Sequence, residues 1–417
     1  MSRRWLLVGL IFAGILISYI DRGNLGIAAP SITKDFNLSN FQMGTLLSAF
    51  FWTYACFQIP AGAIVDRVGI RRVYAFAFVV WSLASAAIGL SRGLTDILIF
   101  RMLLGLAESI GPIASISFIR KNFSGAEIGL PTAIYIAGQN LGPAAGTLIG
   151  TILIANLGWR AMFIITGMVA LLWLPGWLWF APRDDARTVA TPDTPPPPPI
   201  PWTEVIKQRA FIGLTLCVFL SGYFWYFVLT WVPTYLTVAR GYSITEMGRI
   251  LSGPLFAMAV VNILSGFVAD RLVRRGGSVF RVRLWFCAAG HMTSGLLLLL
   301  LVLHSRAAVL PVLLISVCAT GMGNSNYWAL AQQTAPSYLV GRAIGYLNTI
   351  AQIAGATAPL ITGWVLGPTK DFTLALAIAG VCAPLAALVL IVTGVKGLET
   401  MRQTLDRTAA NIPQPAA

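Results

Sequence analysis

The chain has 417 residues, of which 57% are hydrophobic and only 11% charged. A soluble domain of this size carries about a quarter charged residues, so the composition excludes an ordinary cytosolic enzyme. The net charge of +14 does not imply a nucleic-acid partner, because Lys and Arg gather in the cytoplasmic loops of membrane proteins.

Taken in chain order, the apolar runs fall near 5–30, 41–64, 73–91, 94–118, 127–155 and 161–181. A second set falls near 210–237, 246–269, 283–303, 308–333, 340–366 and 371–395. Each run reaches the roughly 20 residues that cross a bilayer core as a helix. The first begins after Met-Ser-Arg-Arg, continues past Tyr19 without a cleavage pattern and carries Asp21 and Arg22. It reads as an uncleaved span. The expected fold is an all-α membrane protein of twelve helices in two six-helix bundles, 1–182 and 210–396. A tail covers 397–417.

Between the bundles, 183–209 contains TPDTPPPPPIPW. Five consecutive prolines cannot continue a helix, so this segment is expected to be an extended linker. Basic residues outside the spans divide 20 to 7 between the two faces. That bias places both termini and the linker in the cytoplasm. The halves also echo one another. Gly62-x-x-x-Asp66-Arg67-x-Gly69-x-Arg71-Arg72 follows the second span, and Gly266-x-x-x-Asp270-Arg271 follows the eighth. Asp66 and Asp270 are 204 residues apart, as are Gly62 and Gly266. Internal duplication of this kind is common in secondary transporters.

Four ionisable residues lie inside the first half's spans: Asp21, Arg22, Arg101 and Glu108. A charge in hydrocarbon is expensive, so such residues face a bundle interior and usually serve function. The plainer alternative is a structural pair locking two helices. Arg101 and Glu108 are two helical turns apart, with Gly105 on the same face. Asp21 and Arg22 are consecutive and point about 100° apart, so one is expected to face a cavity and the other a neighbouring span. A guanidinium grips a carboxylate bidentately, and a buried Glu gains or loses its proton as cations approach. Proton-coupled anion transport needs that combination.

GAIVDRVGIRR resembles the loop motif of the major facilitator superfamily, at the place between spans two and three where that family carries it. SYIDRGNLGIAAP, FFWTYACFQIPAG and FRMLLGLAES resemble the anion:cation symporter branch. That branch includes bacterial sugar-acid transporters and the sialin-type carriers. The resemblance spans about 5–395 and implies two bundles rocking about one central site. It implies a multi-pass monomer of the bacterial inner membrane, partnered by lipid, protons and a small organic anion such as a sugar acid, with no cofactor. By the same resemblance, Asp21 and Glu108 match proton-binding carboxylates, with Arg101 as the partner of Glu108. Arg22 matches the arginine that holds the substrate carboxylate. Tyr19, Tyr54, Gln139 and Asn348 match substrate-side residues. The loop residues Gly62, Asp66, Arg67, Gly69, Arg71, Arg72, Asp270 and Arg271 are expected to govern conformational balance.

Asn348 and Gln352 share a helix face, as do Asn324, Trp328 and Gln332, which makes Trp328 a further binding candidate. Interhelical hydrogen bonding is the alternative for these amides. Gly138-x-x-x-Gly142-Pro143-x-x-Gly146 reads as a close-packing face. Cys56, Cys217, Cys287, Cys318 and Cys382 lie in apolar segments without metal-ligand spacing and read as small core residues. His291 likewise reads as structural. No catalytic constellation or nucleotide-binding loop occurs. An exchanger without proton flux and a non-transporting membrane sensor are the rival readings.

Overall fold

The computed structural model describes residues 3–123, 127, 129–182, 202–303, 305–334, 339–368, 371–395, 397–398 and 401. All its regular elements are helical. They are α1 (Arg3–Phe36), α2 (Asn40–Val68), α3 (Ile70–Ile88), α4 (Leu94–Glu108), α5 (Ile110–Asn122), α6 (Gly129–Ala170), α7 (Trp173–Phe180) and α8 (Trp202–Ile206). After these come α9 (Arg209–Thr230), α10 (Val232–Thr234), α11 (Ile244–Arg274), α12 (Val279–Ser294), α13 (Arg306–Thr334), α14 (Val340–Leu366) and α15 (Thr373–Gly394), with a π-helical stretch at Tyr235–Ala239 and a 3-10 stretch at Gly295–Leu301. Among the described residues, ten helical segments are long and apolar enough to cross a membrane.

Local chemistry sets the breaks. Ser39 caps α2 by accepting from the Gln42 amide at 3.2 Å, and Gln42 Oε1 accepts from the Ser39 amide at 2.8 Å. This reciprocal box satisfies helix-end amides that would otherwise lack partners. Gly69, at φ +100°, turns α2 into α3. Such a backbone angle favours a residue without Cβ.

Gly158, at φ +83°, folds α6 back on itself. Before it, Gly138 faces Phe12 and Ile15, Gly142 faces Tyr19, and Gly146 faces Ile20. Beyond it, Trp159 Nε1 donates to Asp35 at 2.7 Å, and Trp173 Nε1 donates to the Leu10 carbonyl at 2.7 Å. The stretch therefore runs up α1 and returns down it within the 52-residue segment Gly129–Phe180.

The chain folds into two compact units. One comprises 1–188, 226–256 and 355–375, and the other 189–225, 257–354 and 376–417. In the first unit, segments from late in the chain pack against α1 and α2. Ser48 donates to the Ala356 carbonyl at 2.6 Å, and Asn40 to that of Gly367 at 2.9 Å. The core of the second unit gathers Leu214, Val218, Leu284, Leu330, Leu347 and Leu390. Its short helix α8 lies at the end of the segment read as an extended linker, where Trp202 packs edge-on against Phe211 and Tyr346. Residues 183–201 of that linker, and nearly all of the expected tail, lie outside the described residues.

Large apolar side chains such as Phe76, Leu172, Trp179, Trp364 and Val392 point outward, while Asp21, Arg22, Arg101 and Glu108 are buried. That inverts the usual arrangement of a water-soluble protein. It is the arrangement a bilayer selects.

Candidate functional site

The first unit encloses a cluster of charges supplied by α1 and α4. Asp21 and Arg22 diverge as their helical offset requires. Asp21 turns to α3, where its Oδ1 accepts from Ser85 Oγ at 3.0 Å, and also from Asn24 Nδ2 at 3.3 Å. Arg22 turns toward α2 and α4. Its Nε donates to Glu108 Oε2 at 3.0 Å, and the same oxygen accepts from Ser18 Oγ at 2.7 Å. Both side chains of this ion pair are fully enclosed, at 2% and 0% exposure.

Arg22 also lies against aromatic faces, with its Cζ 4.5 Å from the ring centres of both Tyr19 and Tyr54 and 5.1 Å from that of Phe50. A guanidinium over a ring face gains cation–π attraction, about 2 kcal/mol when desolvated. These rings give the cation a defined lodging in an apolar interior and restrict where its planar fork can point.

The partner of Glu108 differs from the one the family resemblance implies. Glu108 is hydrogen-bonded to Arg22, not to Arg101. Arg101 is buried, stacks 5.1 Å from the Phe50 ring and feels the fields of both Glu108 and Asp21. Its Nε and one terminal nitrogen make no hydrogen bond. The reason lies in helix packing. An ideal Cβ at Gly105 would collide with the Phe50 carbonyl oxygen and the Thr53 hydroxyl, so α4 sits hard against α2 between the Arg101 and Glu108 levels. Glu108 meets α1, whereas Arg101 meets Phe50.

The cluster holds further unpaired polar atoms: Arg22 Nη2, Glu108 Oε1, Asp21 Oδ2 and Asn24 Oδ1. A buried polar group without a partner costs about 1–3 kcal/mol. Several at one place mark a site whose donors and acceptors are arranged for something other than each other.

Gln139 Nε2 donates to Tyr135 Oη at 3.0 Å, and Tyr135 lies within the electrostatic surroundings of Tyr19 and Tyr54. Asn348 and Trp328 belong to the second unit, where Trp328 packs on Tyr327 at 5.1 Å. In that unit, Gln332 is exposed and Gln352 is buried. Residues that sequence reasoning missed include Ser18, Ser85, Tyr135 and Tyr226. Tyr226, on α9, is close enough to influence Arg22, and its ring stands 4.5 Å from that of Phe51. Only its place in an aromatic-rich run (YFWYF) distinguishes it in the sequence.

The loop-motif residues have partners and exposure of their own. The backbone of Arg71 accepts from Trp177 Nε1 at 3.1 Å, while Arg67, Arg72 and Arg271 are exposed. Gly62 has open space beside it. In the second copy Asp270 pairs with Arg283, which also reaches Asn326 Oδ1 at 3.3 Å. The side chain of Asp66 lies outside the described residues.

Known proteins fit this architecture. A hexuronate transporter of Bacillus subtilis is 30% identical over 393 residues, covering 92% of each chain. A D-galactonate transporter of Escherichia coli is 30% identical over 391 residues, covering 87% of this chain and 89% of that one. A bacterial homologue of the human lysosomal transporter Spinster, solved inward-facing and unoccupied, superposes with a TM-score of 0.75 at 16% identity over the whole of both chains. The Major Facilitator Superfamily matches residues 11–359. With its apolar spans, its paired loop signatures and its buried charges, the chain is a multi-pass membrane transporter that belongs to the Major Facilitator Superfamily.

Proposed function

We propose that this transporter carries a small organic anion, a sugar acid or similar carboxylate, into the cell together with protons. The observation that carries this reading is the buried Arg22–Glu108 pair. Arg22 spends one edge of its fork on Glu108 and keeps Nη2 unpaired among Tyr19, Tyr54 and Phe50. Protonating Glu108 weakens its hold on Arg22, and a substrate carboxylate then takes the fork. Losing that proton on the far side restores the pair and expels the anion. The names of the hexuronate and galactonate relatives support the substrate class.

In this reading Asp21 is a second proton site, held toward α3 by Ser85. Arg101 supplies a fixed positive field that opposes loss of either carboxylate charge. Gln139, bonded to Tyr135, adds a further substrate contact. The chain makes twelve crossings in two six-helix bundles, with both termini on the cytoplasmic side of a bacterial inner membrane, and works as a monomer.

Glu108→Gln tests the coupling. The amide mimics the protonated acid permanently, so the variant should bind substrate and exchange it between two pools in proteoliposomes. It should fail to concentrate substrate under an imposed proton gradient. Accumulation equal to that of the parent would remove Glu108 as a coupling site and favour an exchanger.

A further inference from the structure

In the second unit, Cys217 of α9 meets Cys287 and His291 of α12. The two Sγ atoms and one imidazole nitrogen all lie within 4.8 Å of one another, and all three residues are buried. Among the described residues this is the only such group of three or more His, Cys, Asp or Glu side chains. Cys287 and His291 are one helical turn apart and therefore share a face. Cys217 approaches from a different helix, which the linear spacing could not disclose.

The imidazole is held in a shaped slot. Its ring lies flat on Gly323 of α13, where a Cβ would stand 2.5 Å from Cε1 and 2.7 Å from Nδ1. Tyr327 stacks on it at 6.2 Å and 25°. Neither ring nitrogen makes a hydrogen bond of good geometry, although the residue is wholly buried and the Cys217 thiol lies beside it. The surrounding core is apolar, with Leu214, Val218 and Leu284 close by in the same cluster. An unpartnered imidazole costs about 1–3 kcal/mol at each such atom. Ligation removes that cost at one of the nitrogens.

We propose that Cys217, Cys287 and His291 form a binding site for a thiophilic divalent cation of the zinc class. Thiolate and imidazole are its preferred ligands. Zinc–sulfur bonds of about 2.3 Å place two thiolates about 3.8 Å apart in a tetrahedral site, so the ligand atoms close by about 1 Å at most. Charge also selects the ion. Two thiolates and a divalent cation sum to zero, whereas a monovalent cation would leave a net negative charge in an apolar core, which is costly. Binding releases the two thiol protons to solvent and joins α9 to α12.

The test uses the full-length protein in detergent, stripped with a chelator and titrated with cadmium(II), whose thiolate complexes absorb in the ultraviolet. The expected result is one cadmium per chain with a thiolate–metal band, displaced by zinc(II), and a higher unfolding temperature in the loaded protein. Affinity should rise with pH, because the thiols must lose their protons. Cys217→Ser and Cys287→Ser should each lose at least about half the band. His291→Ala should keep the band but weaken binding at least about tenfold. Cys318→Ser, outside the trio, should behave like the parent. A parent protein that shows no band at one equivalent would overturn the site, whether or not the variants fold. So would a band of undiminished intensity in Cys287→Ser.

Discussion

At the residue scale, Arg22 is the group on which the proposed substrate chemistry turns. It is a permanent cation with five donors in a fixed plane, lodged on Tyr19, Tyr54 and Phe50 and paired through Nε with Glu108. Lysine keeps the charge but has neither the fork nor the flat face. Arg22→Lys should therefore weaken substrate binding about tenfold, or about 1.4 kcal/mol, measured by ligand-induced thermal shift. Arg22→Ala should weaken it about 100-fold or more. It also leaves Glu108 buried without its cation, and breaking a buried pair costs about 3–5 kcal/mol. Its unfolding temperature should fall accordingly. A lysine variant that binds like the parent would show that the carboxylate is held elsewhere. The four charges are legible in the sequence because ionisable residues stand out in apolar runs. Their pairing is not, since either arginine can reach a glutamate from spacing alone. The choice between them depends on how closely Gly105 lets α4 approach α2.

At the element scale, small residues decide which helices touch. The stripe Gly138, Gly142 and Gly146 is readable as a packing face, and it meets α1 at successive turns. What the stripe packs against is not readable, because small residues at this spacing suit any partner. Two glycines of this helix separate the effect of space from that of propensity. An added Cβ at Gly142 would drive into Tyr19 and the Leu16 carbonyl oxygen, whereas at Gly150 it meets the mobile ends of Ile27 and Met162 at 3.3 Å. Gly142→Ala should lower stability by about 1–3 kcal/mol through overpacking and should reduce substrate affinity by displacing Tyr19. Gly150→Ala should be neutral or slightly stabilising, since alanine is the better helix former by about 1 kcal/mol. Unfolding of the two variants in detergent checks the contrast, and equal effects would mean that α1 and α6 can separate freely. Cys217, Cys287 and His291 illustrate the opposite limit of legibility. Each looks like a core residue in its own span, and only the packing of α9 on α12 brings them together.

At the scale of the whole molecule, charge balance constrains what can cross. Asp21, Arg22, Arg101 and Glu108 sum to zero when all are ionised, and all four are buried. A monoanion entering alone would leave a net negative charge in an apolar interior, where an uncompensated ion costs several kcal/mol. One proton on Glu108 restores zero. A dianion needs a second proton, and Asp21 can take it. The loaded and empty carriers are then both neutral, so the membrane potential acts on neither. One net charge moved through 100 mV would be worth about 2.3 kcal/mol, or about 50-fold accumulation. Proteoliposomes clamped at 100 mV with equal pH on both sides should therefore show no accumulation of a transported monoanion. A gradient of one pH unit, worth about 1.4 kcal/mol per proton, should concentrate a monoanion up to about tenfold and a dianion up to about 100-fold. Asp21→Asn should bring the dianion down to about the monoanion limit, because a single titratable carboxylate remains. If potential alone concentrates the monoanion tens of fold, net positive charge moves with each substrate. The neutral-site account of Arg22, Arg101, Asp21 and Glu108 then fails, and two protons must accompany even a single negative charge.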